Sequence, residues 1–390
     1  MSAAPLHLAV ALDGAGWHPA AWREPRVRPG DLFTAGYWAG LVQEAERGLL
    51  DFVTIEDSLG LQSSRYDGTD ERTDQVRGRL DAVLVAARVA PLTSRVGLVP
   101  TATVTHTEPF HISKAVATLD YVSKGRAGWR VQVSARPGEA GHFGRRVLPA
   151  WPADLGAALL DEAADYVEVV RRLWDSWEDD AEIRDASTGR FVDRAKLHYI
   201  DFEGERFSVK GPSITPRPPQ GQPVVTALAH ATIPYRLGAR AADLVYVTPD
   251  DPDHARAIVE EVRAEQAAAG RARETVHVFG DLVVFLGGTP AAAAERKARL
   301  DERAGAAFTS DAHVFTGTPA QLADLLLRWQ EAGLTGFRLR PGAVPDDLEA
   351  ITRGLVPHLR SLGVFRREYE AGTLRGLLGL PRPANRYAPA

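Results

Sequence analysis

The 390-residue chain contains no cysteine, so disulfides, thiolate nucleophiles and cysteine metal sites are excluded by chemistry. Any redox work therefore needs a borrowed cofactor. There is no apolar run of about 18 residues of the kind that spans a membrane, and residues 1–10 lack the basic stretch that precedes the apolar core of a secretory leader. A cytoplasmic protein is expected. Positive charge is not in excess: 46 Lys and Arg against 51 Asp and Glu leave a formal charge of −5, which provides no basic footprint for nucleic acid. No Gly-x-Gly-x-x-Gly follows a strand pattern and no Gly-rich Lys-Ser/Thr loop occurs, which removes the usual dinucleotide and nucleoside-triphosphate fingerprints. The eleven histidines show no His-Glu-x-x-His or similar spacing, so no metal is expected.

What is present is a soluble-protein composition, 45% hydrophobic and 25% charged, sufficient for a sizeable buried core. Apolar runs short enough for buried parallel strands fall at 6–12, 52–55, 96–99, 128–133, 224–228, 244–247, 276–286 and 336–339. Helical periodicity occupies the intervals, at 35–49, 80–89, 112–122, 162–174, 254–268 and 321–332. Eight strand–helix units predict a single α/β domain of the (β/α)8 TIM-barrel type, with an open doubly wound sheet as the alternative. Residues 185–222 break the alternation: a β-hairpin around Glu203-Gly204 is followed by Pro212, Pro216, Pro218 and Pro219. Inserted loops of that length usually cover a site, which makes this segment the candidate lid. The stretch from 363 to 390 has little core-forming periodicity and is expected to wrap the surface or a partner subunit.

Residues 97–144 read GLVPTATVTHTEPFHISKAVATLDYVSKGRAGWRVQVSARPGEAGHFG. This run resembles the nitrilotriacetate and desulfurisation branch of the luciferase-like flavin-dependent monooxygenases. It joins a strand end, an EP helix start, a TLD-x-x-S-x-GR-x-GW stretch and a terminal HFG. Glu56-Asp57-Ser58, the helix from Tyr166 and the proline-rich lead from Gly211 are similar to the family as well. The resemblance implies a barrel that holds reduced FMN at the carboxyl ends of its strands. It also implies O2 and a separate flavin reductase as partners, and a small organic substrate. Homodimers are the commonest state of soluble enzymes, and a homodimer is expected.

Under that resemblance, Asp57, Thr103, Ser134, Arg130, His230 and Ala231 are the candidate cofactor contacts. His106 and Trp129 are the candidate catalytic residues near the reactive face, and Trp17 and His18, after the first strand, the candidate substrate contacts. Each has a plainer reading. Asp57 is equally suited to capping the next helix, His106 to a surface position, and Glu108-Pro109 to an ordinary helix start. Arg130 stands where the family usually has Asn; facing inward it must meet an anion, facing outward it is a solvated strand charge. The loop cations Arg136, His142, Arg145 and Arg146 either clamp an anion or are solvated.

The chain departs from the family at the flavin phosphate. Gly156, Leu160, His230 and Ala231 occupy positions where His, Tyr and a Ser-Ser turn are expected, and Pro234 replaces a glycine whose backbone approaches the phosphate. Proline has no N–H to donate. Three alternatives therefore stay open: an unconventional FMN site using His230, Arg130 or a loop arginine, a deazaflavin-dependent oxidoreductase, or a non-catalytic barrel subunit.

Overall fold

Buried parallel strands read as continuous apolar runs because helices cover one side and the barrel interior the other, and all eight expected runs form such strands. The computed structural model describes residues 6–66, 68–148 and 155–389. The chain passes through β1 (His7–Leu12), α1 (Ala35–Arg47), β2 (Phe52–Ile55), α2 (Ala82–Val89), β3 (Gly97–Thr103), α3 (Pro109–Ser123), β4 (Gly128–Gln132), α4 (Pro137–Phe143) and α5 (Leu155–Asp175). Two short antiparallel pairs follow, β5 (Glu182–Asp185) with β6 (Arg190–Val192) and β7 (Phe202–Glu203) with β8 (Ser208–Val209). Alternation resumes with β9 (Val224–Leu228), α6 (Thr232–Ala241), β10 (Leu244–Val247), α7 (Pro252–Ala268), β11 (His277–Leu286), α8 (Pro290–Ala304), β12 (His313–Gly317), α9 (Pro319–Glu331) and β13 (Gly336–Pro341). Helices α10 (Asp346–Ala350), α11 (Val356–Ser361) and α12 (Leu374–Leu377) come last. No described helix is long and apolar enough to cross a membrane.

The parallel ring runs β1-β2-β3-β4-β9-β10-β11-β13 and closes where β1 pairs with β13 and β10 with β11. This is the (β/α)8 barrel rather than the open sheet. β12 was not expected from the sequence. The ten-residue β11 pairs with β10 through its first half and, on the same edge, with β12 through its second half. Helix starts follow local chemistry: Asp81, Asp251 and Thr289 accept first-turn amides, and Thr318 with Gln321 forms a capping box.

Most of the C-terminal segment runs over the surface as expected, but its stretch 374–380 turns inward and seals the amino-terminal end of the barrel. Leu374, Leu378 and Leu380 are buried against Ala9, Phe52, Val99, Val224, Leu244 and Phe279. Gly97 makes room for this plug, since a Cβ there would lie 2.7 Å from a Leu374 methyl. The missing periodicity has a physical cause: α12 has only four residues, too few to show a period.

His277 ties the plug down. Its Nε2–H donates to the Leu378 carbonyl at 2.8 Å, and its Nδ1 lies 3.1 Å from the Thr335 hydroxyl. Burial, with His7 adding to it, pushes the His277 pKa down to about 4. The unfolded chain, titrating near 6.5, takes up a proton that the folded protein refuses. Stability is therefore full above that unfolded value and declines as pH falls toward the folded one. By about pH 5 the loss should reach about 2 kcal/mol. Melting of wild type and His277→Gln between neutral pH and pH ~5 checks this; parallel curves would remove His277 from the acid limb.

The inserted segment joins the end of α5 to the start of β9. In a barrel of this kind that connection lies at the amino-terminal end, away from the strand–helix loops that build sites. Its Phe202, Phe207 and Val209 pack with Phe110, Val169 and Leu173 along the outside of the helices.

Candidate active site at the carboxyl ends of the strands

Strand side chains alternate between the two faces. In β4 this sends Arg130 and Gln132 into the barrel and Trp129 outward onto Val116, Tyr166 and Val167. Arg130 Nε donates to Thr101 Oγ1 at 2.9 Å, and Nη2 pairs with Glu56. The inward-facing cation thus meets a carboxylate of its own chain.

Glu56 is the first of a chain of ion pairs through the interior. It accepts from Arg338 Nη1 at 3.3 Å, and Asp281 grips Arg338 at 3.0 and 2.5 Å. The Arg338 guanidinium also lies 4.1 Å over the Tyr246 ring. Asp281 accepts again from Arg340 Nε at 2.9 Å, and Arg340 reaches Asp311 at 2.7 Å. Asp311 Oδ2 is 3.4 Å from His230 Nε2. Three guanidiniums are thereby matched by three carboxylates, as buried charges require. Burial alone would raise the Asp281 pKa, but Arg338 and Arg340 hold it below the ordinary carboxylate range. Burial lowers the pKa of His230, opposed by Asp311, so the ring is neutral at pH 7. It lies 2.9 Å from Thr248 through Nδ1.

Above this floor opens a cavity of about 620 Å³, within the range of small-molecule and cofactor sites. The loops after β2 and β4 contribute Glu56, Leu61, Tyr66, Gln132, Ser134 and Arg136; α5 and the β9–α6 region contribute Leu160, His230, Pro234 and Leu237. No residue of 185–222 lines it, so the lid assigned to that segment is corrected: Ser58, Leu61, Gln62, Tyr66 and Arg79 after β2 and Glu139 of α4 line the cavity instead. Gln132 is held on all sides, donating to the Asp57 carbonyl at 3.0 Å and to Thr103 Oγ1 at 3.3 Å while accepting from Arg130 at 3.1 Å.

The remaining candidates separate. Asp57 lines the cavity, but its two oxygens accept the amides of Ser58 and Ala82 at 2.7 and 2.9 Å; the helix-capping reading accounts for its carboxylate. Burial raises its pKa. Thr103 is buried on the inner face behind Gln132, and Ser134 lines the cavity. Ala231 is the exposed residue before α6 and does not line the cavity.

Trp129 is corrected: fully buried between β4 and the helical layer, it cannot face a reacting group in the barrel. His106 is buried beside the cavity rather than in it. It stacks on Phe143 with φ at 74°, and Nε2 has no partner among the described residues. His18 is also corrected as a substrate contact. Its ring is buried, with Nε2 donating to Asp301 and Nδ1 accepting from the Ala20 amide, both at 3.0 Å. Trp17 lies over Arg340, 5.7 Å from ring centroid to guanidinium. Arg145 and Arg146 are paired with Glu108 and Glu162.

Glu56, Asp281, Arg338, Arg340 and Asp311 were not singled out from the sequence. The available signal was charge inside strands that otherwise read as fully buried: Asp281 within HVFGDLVVFL and two arginines at alternate positions of GFRLRP.

A family model described as luciferase-like monooxygenase matches residues 15–336. The chain is 31% identical to N-acetyl-S-(2-succino)cysteine monooxygenase of Bacillus subtilis (strain 168), over 98% of each chain. It is 30% identical to nitrilotriacetate monooxygenase component A of Aminobacter aminovorans, again over 98% of each. Among solved structures, a riboflavin lyase with modified FMN and riboflavin superposes with a TM-score of 0.85 and 26% identity, covering 98% of this chain and 97% of that one.

Proposed function

The chain belongs to the luciferase-like monooxygenase family, and from that premise we propose that it is an FMNH2- and O2-dependent monooxygenase acting on a small organic substrate. The observation that carries this reading is the rigid polar floor of Glu56, Arg130 and Gln132 beneath a cavity of about 620 Å³ walled by Leu61, Leu160 and Leu237. Such a site fits a flat ring with an apolar body and a polar edge. Reduced flavin supplies the electrons that activate O2, one oxygen atom going to the substrate and the other to water.

The protein's own contribution is positional. Gln132 and Ser134 present polar groups to the ring edge, and Thr103 fixes Gln132 from behind. His230, neutral and hydrogen-bonded, lies where a proton can be held at Nε2. Leu61 and Tyr66 belong to the loop that excludes water from the reacting flavin. Arg130, neutralised by Glu56, lends the floor rigidity. The same reading includes a separate flavin reductase, one barrel domain per chain, a homodimer and a cytoplasmic location.

Leu160 and Pro234, at positions where the resemblance expects phosphate donors, line the cavity, and this favours a second reading, a barrel that has lost flavin binding or uses a deazaflavin. Anaerobic titration with reduced FMN, oxidised FMN and a deazaflavin decides between them. Selective binding of reduced FMN, and O2 consumption when a reductase is added, is the expected result. A folded sample that binds no flavin would move the assignment to the non-catalytic subunit.

A further inference from the structure

Three guanidiniums line the cavity, and two are already neutralised: Arg130 by Glu56, and Arg79 by Asp13 at 2.6 Å. The third, Arg136, has no side-chain hydrogen bond or ion pair among the described residues. Its neighbours along the loop, Arg145 and Arg146, are both paired. Arg136 is half-buried, so its guanidinium lines the cavity with its donors uncommitted to the protein and available to a ligand anion.

The surroundings indicate which ligand. Arg136 lines both the main cavity and a side cleft of about 130 Å³ between the loop after β2 and α4, the cleft also lined by Gly60, Leu61, Tyr66, Thr69 and His142. Leu61, Tyr66, Arg136 and Glu139 border both spaces, so an anion held at Arg136 lies at the edge of the main cavity. The positions at which the family resemblance places the flavin phosphate, Leu160 and His230, belong instead to the wall built by α5 and the β9–α6 turn.

We propose that Arg136 is the specificity-determining contact for an oxyanion, carboxylate or sulfonate, carried at one end of the organic substrate. The remainder of that substrate extends into the main cavity. The assignment rests on the monooxygenase reading above, and the guanidinium's planar fork suits a bidentate oxyanion.

Calorimetric titrations of wild type, Arg136→Gln and Arg136→Lys test it, with succinate, ethanesulfonate and the neutral succinamide as probes, each on protein with and without FMN. Wild type should bind the two oxyanions and not the diamide. Arg136→Gln should weaken them about tenfold or more, Arg136→Lys should fall between, and melting should be unchanged because no internal partner is lost. Equal binding of acid and amide, or no effect of Arg136→Gln, would overturn the proposal. A parallel titration compares reduced FMN with reduced riboflavin: equal affinities in wild type and Arg136→Gln are expected. Loss for FMN alone would assign the guanidinium to the flavin phosphate and overturn a substrate role. Because the oxyanion arm is also run without flavin, failure to bind FMN would count against the monooxygenase reading separately.

Discussion

Asp281→Asn should destabilise the protein by about 3–5 kcal/mol, the cost typical of leaving a buried charge unpaired. Asp281 is fully buried and is the shared counter-ion of Arg338 and Arg340. Asparagine keeps the shape but removes the charge, so one carboxylate's loss affects two guanidiniums. With unfolding entropy of about 2 cal/mol/K per residue, a chain of this length should lose about 4–6 °C in melting temperature. Adding Arg338→Met to Asp281→Leu should recover part of that, since apolar replacements of buried ion pairs are often neutral or better. A single Asp281→Asn variant that melts within about 1 °C of wild type would show that the interior pairs contribute little.

The C-terminal plug yields the second large effect. Leu374→Ala and Leu378→Ala each remove a buried side chain from the sealed end of the barrel, where Phe52, Val224 and Phe279 leave little room to collapse into the gap. Each should cost about 2–5 kcal/mol, and together they approach the total stability of an ordinary domain. If this segment merely wrapped the surface, both changes would fall within about 0.5 kcal/mol of neutral. Denaturant titration of the two single variants and the double variant separates these outcomes.

The barrel was legible because its strands are apolar on both faces and its helices keep their period. β12 was not, because HVFTG is only partly buried along most of its length and mixes polar with apolar residues. The lid was misplaced for a different reason. Length and proline content mark an insertion, but the end of the barrel it occupies depends on whether it follows a strand or a helix, and 185–222 follows α5. At the site, motif resemblance located the carboxyl ends of β2, β3 and β4 correctly. It ranked Asp57 above Glu56 and Trp129 beside Arg130, since neighbouring strand residues point oppositely and no motif records which of a pair faces in. The plug was hidden because its leucines pack against residues 95 or more positions away.

That separation along the chain bears on how the molecule is made. During synthesis β1 precedes its edge partner β13, which begins at Gly336, and the leucines that seal the amino-terminal end of the barrel come later still. Until then one edge of the nascent sheet offers unpaired backbone groups, which invite association with other chains. The closing contacts have high sequence separation, so the last step of folding should be slow. Chaperone dependence during synthesis is therefore expected even though the eight strands of the finished ring close on themselves.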